Sequence, residues 1–267
     1  MMKARWRMLG ALVLTGALAF TAIPASATSG RGHSHAAKAY VCTGGEIPSG
    51  TYSSIIVKGQ CAVANDAKIT VKGNIDVRAG ALLDAQSAPS TITVGGNVYG
   101  ARGAMVGLGC QAPTHTGNSA HPCMSDPENG KSTITVKGDV KLTKPAAVMI
   151  NGITVRSIKV AGGGSYEIPW SIKNNTVNGS VLLSGQKTWW IGVLFNKIKR
   201  DLVLTHIKLD DPHPAENPDS EDMLFVVRND IGRHAACMYV TKGITGYGNT
   251  IGKRALGQCS SLVSSQP

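Results

Sequence analysis

A short phrase recurs along this chain at a nearly constant spacing. It reads Ile-Thr-Val-x-Gly-Asn/Asp-Ile/Val at residues 69–75, 92–98 and 134–140, and it returns in altered form at 175–181, 196–202, 229–235 and 249–255. The central aliphatic residue of each copy, here called the marker, lies 23, 42, 41, 21, 33 and 20 residues from the next. A period of about 21 is typical of a solenoid, in which each unit buries its apolar face only against its neighbours.

The unequal gaps predict where the repeat is interrupted. Each of the two double gaps predicts a hidden coil, and the Ile-Thr-Val at residues 153–155 marks one of them in the second gap. The first double gap holds residues 110–131, a stretch with the composition of a loop. The 33-residue gap predicts one coil that carries an insertion at residues 210–222.

Within a coil, apolar residues alternate at three places, which predicts three short strands. In the first copy the alternating pairs lie at residues 69 and 71, 75 and 77, and 83 and 85. Period-two alternation is the pattern of a strand with one inward face, whereas a helix would repeat its apolar residues at three and four. The sequence therefore predicts an all-β fold: a right-handed parallel β-helix with coils of about 21 residues, rather than the left-handed type built on six-residue units.

Four asparagines support the stacked arrangement. Asn175, Asn196, Asn229 and Asn249 each stand two residues before a marker, where the early copies have isoleucine. Stacked in register, such side chains can hydrogen-bond to one another along the axis. The alternative is that they are unrelated turn asparagines, because asparagine also tolerates the left-handed backbone of a sharp bend.

The ends of the chain predict export and a single domain. Residues 1–27 combine a basic start, an apolar run and Ala25-Ser26-Ala27, the pattern of a cleaved secretion signal, with a membrane anchor as the alternative. Residues 28–40 are predicted to be a flexible leader, 41–260 the β-helix domain with insertions near 110–131 and 210–222, and 261–267 a disordered tail. No later stretch is long and apolar enough to predict a membrane span.

Six cysteines in a chain with an export signal predict disulfide bonds. The repeat register favours neighbouring pairs: Cys42 with Cys61 near the start, Cys110 with Cys123 in the irregular stretch, and Cys237 with Cys259 near the end. Bonds near both ends suit a solenoid, because its terminal coils expose strand edges and apolar core. The alternative at the middle pair is a zinc site formed with His115 and His121.

Basic residues recur beside the markers in a chain of formal net charge +11. Stacked coils would align them into a strip, predicted to contain Lys58, Lys72, Lys137, Arg156, Lys199 and Arg200, with Arg233 and Lys253 continuing it in the late coils. Such a strip would attract an anionic polysaccharide or cell-wall polymer. The alternative is a solvated face whose charge prevents edge-to-edge association. Aromatic residues are too sparse to predict a nucleic-acid platform.

The acidic residues predict no definite catalytic or metal site. Insertion 210–222 concentrates six carboxylates, which suits either a calcium-binding loop or an acidic surface loop. Asp139 and Asp201 share one position relative to their markers but lie in coils that are not adjacent, and no single coil contains the paired carboxylates of a hydrolase. They and Asp210 and Asp211 are the candidates if the β-helix is carbohydrate-active, and no cofactor is predicted.

The chain resembles a family of secreted β-helical repeat proteins from actinobacteria. The resemblance rests on the Ile-Thr-Val-x-Gly-Asn phrases, on Ala-Gly-Ala-Leu-Leu at residues 79–83 and on the cysteine-terminated ending at 249–259, and it covers roughly residues 42–259. It implies a secreted β-helix and transfers no catalytic or binding residues. The Gly-Asn/Asp-Val rhythm is also faintly similar to bactofilins, polymer-forming β-helices that are cytoplasmic and poor in cysteine.

Together these patterns predict an exported, non-enzymatic structural or ligand-binding β-solenoid of the cell envelope or extracellular space, which binds anionic polymers through the basic strip. The alternative function is that of a polysaccharide lyase or hydrolase. The oligomeric state and the identity of the ligand do not follow from the sequence.

Overall fold

A computed structural model describes residues 37–117, 120–165, 168–210 and 223–263. The predicted signal peptide, most of the leader, nearly all of insertion 210–222 and the last part of the tail lie outside the described residues. The described chain is a parallel β-helix in which successive coils contribute one strand to each of three faces. In the described ranges, no helix has the length and apolar character that crossing a membrane requires.

Face 1 carries the markers and face 2 follows it around each coil. Both belong to one 17-stranded sheet, because two long strands run through the corner between them. The strands of face 1 are Gly50–Tyr52, Ala67–Val71, Ser90–Val94, the beginning of Thr133–Thr143, the beginning of Thr154–Ala161, Thr176–Val177, Lys197–Ile198, Asp230–Ile231 and Thr250–Ile251. The strands of face 2 are Tyr40–Cys42, Ile55–Val57, Ile75–Val77, Val98–Gly100, the remainder of the two long strands, Val181–Ser184, Leu202–Thr205, Ala235–Met238 and Ala255–Gly257.

Face 3 is a separate eight-stranded sheet. Its strands are Gly45–Ile47, Gln60–Val63, Leu82–Ala85, Met105–Leu108, Ala147–Asn151, Trp170–Lys173, Trp190–Leu194 and Met223–Val227. Two further short strands, Lys187–Thr188 and Lys208–Leu209, pair between faces 2 and 3. Among the described residues, the helical elements are the single turn Pro113–Thr116 and the 3₁₀ helix Gln258–Leu262.

The markers form one continuous buried row, as the repeat predicts. Val71 pairs with Val94, and Val94 pairs with Val136; their side chains are 0%, 1% and 1% exposed. The register then continues through Val155 to Val177 and onward to the last coils. The core is thus a column of valine, isoleucine and leucine in which each coil covers the apolar surface of the next.

One expectation about the hidden coils is confirmed and the other is wrong. Val155 lies in register between Val136 and Val177, so the second double gap does contain an extra coil. The first does not, because Val94 pairs directly with Val136. Residues 110–131 leave the solenoid after the face 3 strand Met105–Leu108 and return at Thr133, so the extra length of this gap is an insertion.

The asparagine ladder is confirmed. The Asn175 Nδ2 donates to the Asn196 Oδ1 at 3.0 Å, the Asn196 Nδ2 to the Asn229 Oδ1 at 2.9 Å, and the Asn229 Nδ2 to the Asn249 Oδ1 at 3.0 Å. Each Nδ2 also donates to a backbone carbonyl of the neighbouring face 3 strand. The ladder satisfies buried polar groups at the corner between faces 3 and 1, where strand pairing is interrupted.

The three predicted disulfides are present. Cys42 is bonded to Cys61, Cys110 to Cys123 and Cys237 to Cys259. The first joins the two earliest coils, and the last joins Ala235–Met238 to the 3₁₀ helix that packs on the final coil. The terminal coils are therefore cross-linked where a solenoid has fewest neighbours to pack against.

Candidate functional site

Face 1 presents a row of basic side chains to solvent. Lys72, Lys137, Arg156 and Lys199 each follow a buried marker directly, so they leave the sheet on its outer side and are exposed. Lys137 and Arg156 lie in adjacent coils, while the coils with Gly95 and Asn178 separate them from Lys72 and Lys199. With coils about 4.8 Å apart, neighbouring cations along the row are separated by about 5 or 10 Å.

The register removes Lys58 from this row. Val57, which precedes it, pairs with Val77 on face 2, whereas the residue that pairs with Val71 on face 1 is Tyr52. The prediction that Lys58 shares the row with Lys72 is therefore wrong. The strand at residues 55–57 was assigned to the wrong face. Its Ile-Ile-Val has the alternation of a marker strand, but it lies on face 2, the next side of the coil.

The late-coil cations form a second, parallel row. The Arg233 backbone N–H donates to the Arg200 carbonyl at 2.9 Å, and that of Lys253 donates to the Arg233 carbonyl at 2.8 Å. Arg200, Arg233 and Lys253 therefore stand directly above one another on three successive coils, one residue further round the corner than Lys199. The predicted alignment of these residues is confirmed, and it extends the positive surface to the last coil.

A row of threonines runs beside the basic row and was missed at the sequence level. Six successive coils place a threonine at the paired position two residues before the basic row: Thr51, Thr70, Thr93, Thr135, Thr154 and Thr176. All six face outward and are exposed or half-buried. The signal was present, because the Thr of the Ile-Thr-Val phrase has a constant offset from the marker.

The candidate catalytic carboxylate Asp139 is a buried structural anion. It is 1% exposed and receives hydrogen bonds from the Arg156 Nε at 2.6 Å and the Lys159 Nζ at 2.9 Å. Burial alone would raise the pKa of Asp139, but the hydrogen bonds and charges of these two cations outweigh it and lower the pKa. Asp139 also raises the pKa of Arg156 through their hydrogen bond, so it partly neutralises that member of the basic row.

Asp201 occupies the same corner position as Asp139, with two coils between them, and its carboxylate is also hydrogen-bonded. Its Oδ1 lies 3.2 Å from the His234 Nδ1 and accepts the His234 backbone N–H at 3.3 Å. Burial raises the pKa of Asp201, yet the hydrogen bonds from His234 and the charge of Arg233 lower it overall. Stacked coils place Asp139 and Asp201 about 14 Å apart, further than the carboxylates of glycoside hydrolases, which are about 5–9 Å apart.

These corner residues belong to a ladder of side-chain acceptors. The Asn97 backbone N–H donates to the Asn74 Oδ1, and the Asp139 backbone N–H donates to the Asn97 Oδ1, both at 2.8 Å. Ser157 and Ser180 continue the pattern toward Asp201. The constant offset of these polar residues from the marker thus has a structural cause: Asn74, Asn97, Ser157, Ser180 and Asp201 each cap a backbone N–H of the next coil at the corner between faces 1 and 2, whereas Asp139 binds cations there.

The disulfide excludes the zinc alternative in the insertion, because Cys110 and Cys123 are bonded to each other. His115 is hydrogen-bonded to the Asn129 carbonyl at 3.0 Å. His121 lies against face 3, where burial and the nearby charge of Lys173 lower its pKa. Within the described ranges, no three histidine, cysteine, aspartate or glutamate side chains converge as a metal site would require. Of the acidic insertion, Asp210 is described and forms an ion pair with Lys208 at 2.9 Å; Asp211 lies outside the described residues.

Comparison with known proteins assigns no family to this chain. No protein-family model matches the chain. No match was found among curated proteins or among solved structures.

Proposed function

We propose that the protein is an exported, non-enzymatic β-solenoid of the cell envelope or extracellular space that binds an anionic polysaccharide or cell-wall polymer along face 1. One observation carries the proposal: strand register aligns Lys72, Lys137, Arg156 and Lys199 into a single exposed row parallel to the solenoid axis. A linear polymer with repeated negative charges matches such a row, because several weak pairs form along one chain.

The threonine row gives the same surface a second kind of contact. A hydroxyl both donates and accepts hydrogen bonds, so six aligned threonines suit the hydroxyl groups of a sugar chain. Each contact is weak at an exposed site, and a single lysine contributes only about 0.2–1 kcal/mol. The proposed affinity therefore depends on the length of the row, and it falls as salt screens the charges over about 10 Å.

Three disulfides support an extracellular location, since such bonds persist in oxidising compartments. The signal-like pattern of residues 1–27 supports export. We further propose that the protein is related to the secreted actinobacterial β-helical repeat proteins that its phrases resemble. At the bend where an early coil has Gly-Gly-Asn at residues 95–97, the late coils have Arg200, Arg233 and Lys253. This positive charge departs from the family's pattern and is a property of this chain.

The test compares two triple variants that remove the same charge from different faces. The first is Lys72→Gln/Lys137→Gln/Lys199→Gln on face 1. The control is Lys58→Gln/Arg78→Gln/Arg102→Gln, three exposed cations near the corner between faces 2 and 3. Binding of polygalacturonate and of neutral dextran is measured at low and at physiological salt. We expect the face 1 variant to bind polygalacturonate about 3- to 150-fold more weakly, the range that follows from three exposed charge pairs of about 0.2–1 kcal/mol each, and the control to stay near wild type.

Two outcomes contradict the proposal. Equal losses in both variants would show that net charge, not the row, attracts the polymer. New reducing or unsaturated ends, abolished by Asp201→Ala, would instead support a carbohydrate-active enzyme. The same samples can be scored for both, so binding and turnover are separated in one experiment.

A further inference from the structure

The coils near the C-terminal end form an aromatic groove on face 3. The groove is open, has a volume of about 530 Å³ and is lined by Trp190, Phe195, Phe225, Arg228 and Tyr247. Aromatic residues make up only 5% of the chain, so four of them around one groove is a local concentration. Its size lies within the range of small-ligand sites, about 300–1,000 Å³.

A glycine allows one aromatic ring to lie on the sheet. Gly192 is paired with Ser171 on one side and Phe225 on the other, and its position faces outward. A Cβ built on Gly192 would collide with the ring of Trp190, so the indole lies across the glycine. The Trp190 ring centre is 5.9 Å from that of Phe225, with the planes 43° apart. The two rings make a half-buried aromatic floor on face 3.

An exposed arginine stands at the edge of this floor. The Arg228 guanidinium carbon lies 6.0 Å from the Phe195 ring centre and 5.9 Å from the Tyr247 ring centre. The two rings hold the cation by cation–π contacts. Among the described residues, no carboxylate forms an ion pair with Arg228. The groove thus combines apolar ring faces with one positive charge that has no anionic partner in the described chain.

The backbone at this edge adopts a conformation that bulky residues avoid. The residue before each ladder asparagine has a positive φ, and in two of the four coils this residue is Asn174 or Gly248. Phe195 and Arg228 occupy it at φ of 57° and 50°. Glycine and asparagine suit this conformation, whereas phenylalanine and arginine do so only under strain. Strained positions cluster at binding sites, and here both strained side chains line the groove.

We propose that this groove binds an acidic sugar residue of a glycan, with the sugar ring on the Trp190 and Phe225 rings and its carboxylate paired with Arg228. The apolar C–H face of a pyranose matches a flat aromatic floor, and a charge-assisted bond to arginine fixes the orientation of the carboxylate. The cation distinguishes this occupant from an apolar peptide or a second copy of the chain. The site is independent of binding along face 1, because it contains no residue of the basic row.

The test titrates trigalacturonate and its neutral analogue galactotriose, with calorimetry as the readout. We expect Trp190→Ala to weaken trigalacturonate binding by about tenfold or more, as loss of one stacking ring does elsewhere. Arg228→Gln should weaken binding of the acidic trimer and leave that of the neutral trimer unchanged. Tyr239→Ala is the matched control, since Tyr239 is also an exposed aromatic at positive φ but lies outside the groove, against His206. It should bind within about twofold of wild type.

Phe195→Asn keeps the experiment informative if Trp190→Ala or Arg228→Gln misfolds. Asparagine suits the left-handed backbone, so this variant should fold at least as well as wild type and still bind trigalacturonate more weakly. The titrations are repeated in the Lys72→Gln/Lys137→Gln/Lys199→Gln background, where binding in the groove should persist. No saturable binding, equal binding by Trp190→Ala, or binding of the neutral trimer alone would overturn the proposal. So would concentration-dependent dimers lost in Trp190→Ala, which would assign the groove to a second copy.

Discussion

Replacement of Asn196 by alanine tests whether the asparagine ladder holds the coils together. The Asn196 side chain takes part in four hydrogen bonds. Its Nδ2 donates to the Ile172 carbonyl at 2.8 Å and to the Asn229 Oδ1 at 2.9 Å, and its Oδ1 accepts from the Asn175 backbone N–H at 3.1 Å and the Asn175 Nδ2 at 3.0 Å. Asn175, Asn196 and Asn229 are each 1% exposed, so water does not replace what the substitution removes.

The expected loss follows from the groups left behind. The Asn229 Oδ1 still accepts the residue 196 backbone N–H, and the Asn175 Nδ2 still donates to the Ile150 carbonyl. The Asn175 N–H and the Ile172 carbonyl lose the partner that Asn196 supplied. A buried polar group without a partner costs about 1–3 kcal/mol, so we expect Asn196→Ala to lower the free energy of unfolding by about 2–6 kcal/mol.

The measurement is urea unfolding followed by circular dichroism, with the disulfides kept oxidised. With an m-value of about 2–3 kcal/mol/M, the midpoint should fall by about 0.7–3 M. Asn178→Ala is the control: this asparagine is exposed and lies in the same coil as Asn175, and its loss should stay within about 0.5 kcal/mol. If Asn196→Ala costs no more than Asn178→Ala, the ladder does not stabilise the stack and its explanation fails.

Two further predictions concern charge and cross-links. Asp139→Asn should destabilise the protein by about 1–3 kcal/mol at pH 7, because charge-assisted hydrogen bonds from Arg156 and Lys159 are lost. The pKa of Asp139 is lowered in the folded protein. The stabilisation by this carboxylate is therefore fully present above the ordinary carboxyl pKa of about 4, and it disappears as pH falls through the lowered pKa. Urea midpoints of wild type and variant should therefore converge at acid pH, and a constant difference would contradict this. Cys237→Ser/Cys259→Ser should lower the free energy of unfolding by about 3 kcal/mol, measured as a fall in melting temperature; an unchanged melting temperature would show that the last coil needs no cross-link.

The solenoid could be predicted because the residues that repeat along the sequence face inward and pack on one another. Val71, Val94 and Val136 pack on one another, so their spacing reports the length of each coil directly. The asparagine ladder was predictable for the same reason, since stacked side chains that bond to each other must keep one offset from the marker. The disulfide pairings followed once adjacent coils were known.

Two features were predicted wrongly, because the repeat spacing does not show which face a strand occupies or whether a stretch of the right length is a coil. Residues 55–57 alternate like a marker strand, and only the pairing of Val57 with Val77 places them on face 2 and Lys58 outside the basic row. Residues 110–131 filled a gap of two periods, so their length suggested a coil although they form an insertion. Period alone does not distinguish these cases, because a coil and a loop of similar length leave the later markers in the same phase.

The aromatic groove escaped for a different reason. Trp190, Phe225 and Tyr247 come from three coils, and residues 211–222 lengthen the sequence distance between the first two. No local motif joins them, and they become neighbours only after the strands of face 3 are stacked. Outward residues are under no packing constraint from coil to coil, so they need not repeat, and a repeat search does not find them.

The way the coils are held together also limits what the surface is free to do. The candidate catalytic carboxylates are already bound at the corner between faces 1 and 2: Asp139 by Arg156 and Lys159, and Asp201 by the side chain and backbone N–H of His234. An acid catalyst needs a carboxyl with a raised pKa, and a lowered pKa at both positions works against that role. The threonine row, the lysines of the basic row and the aromatic groove of face 3 take no part in these contacts, whereas Arg156 of the basic row also binds Asp139. Among the described residues, neither the threonine and basic rows nor the lining of the groove includes a carboxylate, and both surfaces offer weak contacts that suit a chain-like ligand.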